Sequence, residues 1–224
     1  LPLILATDKS KLSKRKHGES VPLDFYRTQG YLPEALVNFL ALLGWNPGDD
    51  REIFSIKELI KEFSLERVQK SGAIFDVKKL DWMNGEYIRK KSLNELKELS
   101  KSFIKDFFQF SIFNYQFSKI LSLEQPRLKK LSELPERIKF FFKTPEYDSS
   151  LLCWKNMDSK EIKDSLELAK NLLQAFNENN FNKENLEKIF LEKIKPSFDY
   201  AQDKLTLLWP LRVALSGKKA SPGP

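Results

Sequence analysis

Two residue types on which many active sites depend are almost absent from this sequence. Its 224 residues include one cysteine, Cys153, and one histidine, His17. A single cysteine excludes an intrachain disulfide and a cysteine-based metal site, and a single histidine excludes a multi-histidine metal site. We therefore expect no metal site in this chain, and neither a Ser-His-Asp nor a Cys-His triad.

Long hydrophobic runs are also missing. The longest, such as FLALLGW, are far shorter than the roughly 20 apolar residues that a membrane helix needs. No apolar leader with a cleavage site is present, so we expect a cytoplasmic location and no membrane partner. The chain begins at Leu1 rather than at methionine and stops at SPGP, and we expect that both ends are cut.

Charge, by contrast, is plentiful. Lysine and arginine number 38 against 31 aspartate and glutamate, a formal net charge of +7, while hydrophobic residues make up 41% of the chain. This composition predicts a folded globular protein rather than a disordered chain. The positive excess favours a polyanionic partner such as a nucleic acid, although a basic protein need not bind one.

Helix start and stop signals recur along the chain. Pro33 and Gly44 bracket one predicted helix, whose apolar residues would share a face: Leu36, Phe39, Leu40 and Leu43. A capping signature, in which serine or aspartate is followed three residues later by glutamate, predicts helix starts at Ser55, Ser92 and Asp158.

Two further segments add to the helical pattern. Asp76 predicts a helix start and Gly85 the end of that helix, and NKENLEKIFLEKI predicts a helix near the carboxyl end. No alternating strand pattern persists beyond four or five residues, so the predicted fold is mainly α.

Aromatic residues crowd one stretch in the middle of the chain. They could fill the core of a helix or offer a surface on which nucleic-acid bases stack. Because aromatic side chains at helical spacing usually fill a core, we predict core packing for them: Phe103, Phe107, Phe108, Phe110, Phe113, Tyr115 and Phe117.

A basic run near the amino end, residues 9–16, has three interpretations. It could be a solvated surface, a targeting run or a loop that holds phosphate groups. Lys11 and Lys14, with Ser13 between them, could present two ammonium groups and a hydroxyl to one site. Phosphoryl and nucleotidyl transfer need such positive charge against developing negative charge. The run alone does not decide between these interpretations.

The wider sequence favours the phosphate loop. KLSKR, residues 11–15, resembles the K-M-S-K-S signature loop of class I aminoacyl-tRNA synthetases. Further segments resemble bacterial-type glutamyl-tRNA synthetases in the order of that family, namely HGESVPLDFYRTQGYLPEALVNFLALLGWNPGDDREIFS, FSLERVQKSGAIFDVKKLDWMNGEYIRK, EQPRLKKLSELPERIKFFF and WPLRVALSGKKASPGP. The resemblance runs over nearly the whole chain, from the signature loop onward.

This resemblance implies a mainly α chain in four parts. Residues 1–20 would be the tail of a class I (Rossmann-type) catalytic domain with the signature loop, and 21–90 a stem-contacting domain. Residues 91–150 and 151–224 would be two all-helical anticodon-binding subdomains, the second truncated. Within 21–90, Trp82, Asn84 and Tyr87 fit the family pattern W-x-N-x-x-Y-I. We predict that Trp82 and Tyr87 pack in the core.

For the signature loop, the resemblance implies contact with ATP during glutamate activation. Lys14 is then expected on the ATP phosphates, with Lys11 supporting it and Ser13 helping to shape the loop. Leu12 replaces the methionine of the signature. Arg15 stands where the signature has serine, a replacement that the glutamate-specific branch itself uses.

For RNA recognition, the resemblance points to four residues. Arg127 aligns with an arginine that reads the third anticodon base in relatives favouring tRNA-Glu, and a guanidinium can donate to the edge of an unstacked cytosine. Arg127 could instead contact a phosphate or be merely exposed. Arg212, Ser221 and Pro222 fall where the family touches the other anticodon bases.

The family's H-I-G-H-like motif and glutamate pocket lie upstream of the signature loop and are not in this sequence. The resemblance thus implies part of a monomeric ligase that attaches glutamate to tRNA-Glu through a glutamyl-adenylate, using ATP with magnesium. This chain would be inactive alone. The alternative is a stand-alone helical RNA-binding module derived from such a ligase. A helical scaffold without an RNA role would leave the ordered resemblance unexplained.

Overall fold

The computed structural model describes residues 2–17, 22–105, 113–177, 179–193 and 200–222. The fold is mainly α, as predicted. The chain divides into a first unit, Leu1–Ile138, and a second unit, Lys139–Pro224. The predicted division into 1–20, 21–90, 91–150 and 151–224 is finer than these two units and stays a prediction.

Short helices joined by turns build the described part of the first unit. Its strands and α-helices are β1 (Ile4–Leu5), α1 (Lys14–His17), α2 (Leu23–Thr28), α3 (Pro33–Leu42), α4 (Ile56–Glu62), β2 (Ala73–Ile74), α5 (Val77–Lys90), α6 (Leu93–Ser100), α7 (Phe113–Glu124) and α8 (Leu134–Ile138). Single 3-10 turns lie at Leu65–Arg67, Gln125–Arg127 and Leu131–Glu133. Strands β1 and β2 pair in parallel, with Ile4 beside Ala73 and Leu5 beside Ile74.

Helix α3 shows how the local signals place an apolar face. Pro33 stands in its first turn and the helix ends two residues before Gly44, as predicted. The buried residues are Ala35, Leu36, Asn38 and Phe39. Leu40, which was predicted to share an apolar face with Leu36 and Phe39, is 43% exposed. The buried stripe is rotated toward Ala35 and Asn38, and this rotation leaves Leu40 at its edge.

The predicted helix caps are confirmed. The Ser55 hydroxyl accepts from the Glu58 backbone N–H at 3.2 Å, and the Glu58 carboxylate accepts from the Ser55 N–H at 2.7 Å. The same reciprocal box starts α6 at Ser92, and it starts the first long helix of the second unit at Asp158. Each such cap typically stabilises a helix by about 1 kcal/mol.

Helix α5 corrects one prediction. Asp76 caps its start, since its side chain accepts from the N–H groups of Lys78 and Lys79. Gly85 does not end the helix, which continues to Lys90. A Cβ at position 85 would lie 3.1 Å from the carbonyl oxygen of Leu128. The glycine therefore permits a close backbone approach rather than a stop.

The aromatic pair on α5 divides between core and surface. Tyr87 is 8% exposed, which confirms its predicted burial, whereas Trp82 is 41% exposed, so its predicted burial is wrong. Five residues separate the two positions, which puts them about 140° apart around a helix of 3.6 residues per turn. One face of α5 cannot bury both.

The predicted core packing of the aromatic stretch is confirmed at Phe117, which is fully buried. Phe103 is half-buried. The predictions for Phe107, Phe108 and Phe110 lie outside the described residues, as do those for the side chains of Phe113 and Tyr115.

The second unit is built on three longer helices. These are α9 (Ser159–Gln174), α10 (Lys183–Lys193) and α11 (Tyr200–Ser216), and 3-10 turns at Lys139–Phe141 and Ser149–Leu152 precede them. Their core contains Ala169, Leu172, Phe190, Leu207 and Leu211. Helix α10 confirms the helix predicted from NKENLEKIFLEKI. Within the described ranges, no helix is both long and apolar enough to cross a membrane.

Candidate nucleic-acid interface

The basic run forms a loop that folds back on strand β1. The Leu12 N–H donates to the Ile4 carbonyl at 3.0 Å, and Lys11 forms an antiparallel bridge with Leu5. At the tip, Lys9 has a left-handed φ of 62°, and its N–H donates to the Ala6 carbonyl at 2.9 Å. The loop is thus hydrogen-bonded to strand β1, at the edge of the two-stranded sheet.

One acidic residue organises the tip of this loop. The Asp8 carboxylate accepts from both the N–H and the hydroxyl of Ser10, at 2.9 and 2.6 Å. It also accepts from the Lys16 ammonium at 2.8 Å. These contacts, chiefly that with Lys16, hold the pKa of Asp8 well below its usual range. Lys16 is therefore engaged within the loop.

The three residues predicted to act on ATP lie close together in the chain. Lys11 is exposed, Ser13 is half-buried, and Lys14 begins the four-residue helix α1. The side chain of Lys14 lies outside the described residues. In the part of the chain that the structure describes, no histidine, cysteine, aspartate or glutamate side chains form a group of three that could hold a metal ion.

Arg127 stands at the end of a 3-10 turn, Gln125–Arg127, that follows α7 directly. Helix α5 holds this turn from one side. The Gln125 amide donates to the carbonyls of Ile88 and Lys91 at 3.0 and 2.7 Å. The buried amide of Asn84 donates to the Lys129 carbonyl at 2.5 Å. The backbone that carries Arg127 is therefore fixed on both sides of the residue.

Charged side chains that were not predicted from the sequence surround Arg127. Glu124 is only 1% exposed, and its Oε1 lies 3.8 Å from Arg127 Nη1. Its Oε2 lies 3.6 Å from Nη1 of Arg137, whose Nε donates to Glu133 at 3.0 Å. The spacing of three residues between Glu124 and Arg127 was the available signal, since it lets the two side chains meet at a helix end.

The other predicted anticodon residues lie in the second unit. Arg212 is half-buried on α11, and its Nε is buried without a hydrogen bond within the described ranges. Gly217, with φ 67°, follows the end of α11, and its N–H donates to the Val213 carbonyl at 2.7 Å. Ser221 and Pro222 lie beyond it, both half-buried, and the Ser221 hydroxyl donates to the Pro222 carbonyl at 3.0 Å.

The two lysines of the carboxyl-terminal loop differ in their surroundings. The Lys218 ammonium lies 6.0 Å from the centre of the Phe140 ring, and the residue is half-buried. Lys219 is exposed. Of this pair, Lys219 therefore presents its charge more fully to solvent.

Comparison with known proteins identifies the family. The family model described as class I tRNA synthetases (E and Q), catalytic domain, matches residues 1–82, and the anticodon-binding domain matches residues 95–224. A glutamate–tRNA ligase of Clostridium tetani is 40% identical over 224 residues, 99% of this chain and 44% of that protein. The chain belongs to the glutamate–tRNA ligase family.

Other members of the glutamate–tRNA ligase family give the same picture. The ligase of Clostridium kluyveri is 39% identical over 99% of this chain and 44% of its own length. The crystal structure of a glutamate tRNA ligase from Elizabethkingia meningosepticum in complex with its amino acid aligns with a TM-score of 0.74 and 29% identity. That alignment covers all of this chain and 46% of the other. The chain thus spans less than half the length of the ligases that it matches.

The two family matches also place the described elements. The parallel pair β1–β2 and the basic loop lie within the match to the catalytic domain, in its carboxyl-terminal part. The turn that carries Arg127 and all of the second unit lie within the match to the anticodon-binding domain.

Proposed function

We propose that this chain is the signature-loop and tRNA-binding part of a glutamate–tRNA ligase. The complete enzyme would attach glutamate to tRNA-Glu through a glutamyl-adenylate formed from ATP, with magnesium arriving on the nucleotide. A ligase of this kind would act as a monomer in the cytoplasm. This chain, which spans about 44% of the related ligases, would not activate glutamate alone.

One observation carries the RNA-binding half of this proposal. Arg127 is part-exposed on a turn whose backbone is fixed to α5 on either side of it. A fixed guanidinium with free donors suits an unstacked cytosine, to which it can donate through a rigid fork of N–H groups. We assign to Arg127 the third anticodon base, which is C in glutamate anticodons and G in glutamine anticodons.

The remaining assignments follow the family order. The stem-contacting part is residues 21–90, and the anticodon-binding subdomains are 91–150 and 151–224. In the second of these, Arg212, Ser221 and Pro222 would contact the other anticodon bases. The hydrogen bond from the Ser221 hydroxyl to the Pro222 carbonyl, at 3.0 Å, supports a shaped loop there.

We assign the signature loop, which lies within the catalytic-domain tail at residues 1–20, to the phosphates of ATP. Lys14 would neutralise charge on the phosphates, Lys11 would support it, and Ser13 would shape the loop. The position of the loop at the edge of the β1–β2 sheet supports this role. So does the exposure of Lys11, whose charge faces solvent while that of Lys16 is engaged by Asp8.

A stand-alone RNA-binding module derived from such a ligase is the second candidate. The reading frame upstream of Leu1 separates the two. A preceding nucleotide-binding domain supports the ligase, and a start codon near Leu1 supports the module.

Both candidate functions require RNA binding, and a tRNA-binding experiment tests it. We expect the chain to bind tRNA-Glu about 5- to 100-fold more tightly than the same tRNA with the third anticodon base changed from C to G, the range for one good base contact. Arg127→Ala should erase that difference. Measurement at two salt concentrations separates attraction to phosphates from recognition of the base, because attraction to phosphates weakens with salt equally for both tRNAs. Equal binding of the two tRNAs by the unmodified chain would refute the assignment of Arg127.

A further inference from the structure

A buried carboxylate lies directly behind the proposed anticodon-reading arginine. Glu124 is the last residue of α7, and only 1% of it is exposed. Ionised side chains are almost never buried so fully unless they are paired. Its two oxygens face two different guanidinium groups, Oε1 toward Arg127 and Oε2 toward Arg137. A single buried carboxylate thus lies between two arginines.

Arg137, on the side of Glu124 away from Arg127, is held by a second carboxylate. Arg137 lies 3.6 Å from Glu124 and donates from Nε to the Glu133 carboxylate at 3.0 Å, one helical turn earlier. Glu133 also accepts from the Lys129 N–H at 3.5 Å. Charges therefore alternate along a row, Arg127, Glu124, Arg137, Glu133, and its end member Glu133 is bonded to the backbone of the first unit.

Arg127 is the end of this row that is partly exposed to solvent. Its Nη1 is buried beside Glu124 and makes no hydrogen bond among the residues that the structure describes. The side chain as a whole is 29% exposed, so its exposed surface belongs to other atoms. A guanidinium carries five N–H donors in a fixed fork. Electrostatic attraction at one corner therefore orients the fork while leaving donors for a ligand.

We propose that Glu124 is a positioning residue that orients Arg127 toward the third anticodon base. This inference rests on the anticodon role proposed above for Arg127. Without the carboxylate, the Arg127 and Arg137 guanidinium groups would face each other with no charge between them. Arg127 would then turn toward solvent and contact RNA through its charge alone. Discrimination between C and G would fall, while attraction to phosphate would remain.

The test measures the C-over-G ratio, which is the dissociation constant for the C-to-G variant divided by that for tRNA-Glu, in several forms of the 224-residue chain. Glu124→Gln removes the charge and keeps the size of the side chain. Glu98→Gln is the matched control, because Glu98 is exposed and pairs at 2.6 Å with Lys101, also three residues away. Thermal unfolding of each variant is measured alongside.

We expect Glu124→Gln to lower the C-over-G ratio by about threefold or more, as for other residues in contact within one network. Affinity for the C-to-G variant should stay within about twofold, since phosphate contacts carry it. Glu98→Gln should keep the ratio of the unmodified chain. In an Arg127→Ala background, Glu124→Gln should change the ratio no further, because the residue that it orients is gone.

Glu124→Asp guards against misfolding, since it keeps the charge but withdraws it by one methylene, and it too should lower the ratio. An unchanged ratio in both Glu124 variants, with Arg127→Ala still lowering it, would overturn the positioning role and leave Arg127 as the reader. An equal loss for both tRNAs with a lower melting temperature would show a structural role instead. A ratio insensitive to Arg127→Ala would overturn the anticodon role and this inference together.

Discussion

Tyr87 couples the core of the first unit to pH. Its hydroxyl lies within hydrogen-bonding distance of Asn38 Oδ1, at 2.7 Å, and of the Phe54 carbonyl. Burial, with a smaller contribution from the charge of Glu34, raises the pKa of Tyr87 to about 12. Because this value lies above the ordinary pKa near 10, the folded chain keeps a proton that the unfolded chain releases.

Stability should therefore decline at alkaline pH, and Tyr87 should account for part of the decline. The contribution of Tyr87 is complete below about pH 10 and is lost as the pH rises toward 12, by about 2–3 kcal/mol in the free energy of unfolding. We expect Tyr87→Phe to flatten this decline relative to the unmodified chain. Urea unfolding at pH 8, 10 and 11.5 measures the free energy of unfolding of both proteins. Parallel curves for the two proteins would contradict the prediction.

Other residue-scale features show what a sequence can and cannot predict. Burial of Tyr87 was predictable, because a bulky aromatic on an amphipathic segment usually packs inside. Exposure of Trp82 was not, because the sequence does not say which side of α5 meets the rest of the unit. Burial of Glu124 was equally hidden, since it depends on Arg137, ten or more residues away in the chain.

At the scale of elements, the passage of α5 through Gly85 matters most. A glycine inside a helix normally costs about 0.5–1 kcal/mol relative to alanine. Here a Cβ would press on the backbone of Leu128, which is fully buried. The Leu128 N–H is itself held by the Glu124 carbonyl at 3.1 Å, so the backbone has little room to retreat.

We expect Gly85→Ala to destabilise the chain by about 1–3 kcal/mol, the usual range for overpacking, despite the gain in helix propensity. Lys78→Ala, at an exposed position of the same helix, serves as the control and should change stability by no more than about 0.5 kcal/mol. Chemical denaturation measures both. A more stable Gly85→Ala variant would mean that the turn at Leu128 moves aside.

The ends of several elements were predictable for a local reason. Ser55, Ser92 and Asp158 each form a capping box with the glutamate three residues on, and this needs no partner from elsewhere in the chain. The end of α5 and the edge of the buried stripe on α3 were not predictable. Both depend on which neighbouring backbone or side chain packs against the helix.

At the scale of the whole molecule, the proposed function divides between nucleotide chemistry and RNA binding. The basic loop lies in the part that matches the catalytic domain, and Arg127 in the part that matches the anticodon-binding domain. A loss of charge in the loop should therefore reduce glutamate activation without reducing RNA binding.

For the complete ligase proposed above, we expect Lys14→Ala to reduce glutamate activation by about 100-fold, as for loss of one transition-state donor. Affinity for tRNA-Glu should change by less than about twofold. Pyrophosphate exchange and tRNA binding measure the two effects. Lys16→Ala, which removes the same charge from a residue engaged by Asp8, is the control and should reduce activation much less. Equal losses of activation and tRNA affinity would indicate that the run serves RNA.

The hydrogen bonds from Gln125 and Asn84 join α5 to the turn of Arg127, and this has a consequence for recombination between ligase genes. A crossover near residue 90 would take Asn84 from one parent and Gln125 from another, so that each side-chain donor would have to meet backbone carbonyls positioned by the other parent's segment. A crossover just after Ile138 would leave them together. Preference for the third anticodon base should therefore be inherited together with α5. An exchange that transfers this preference should carry both α5 and the turn of Arg127.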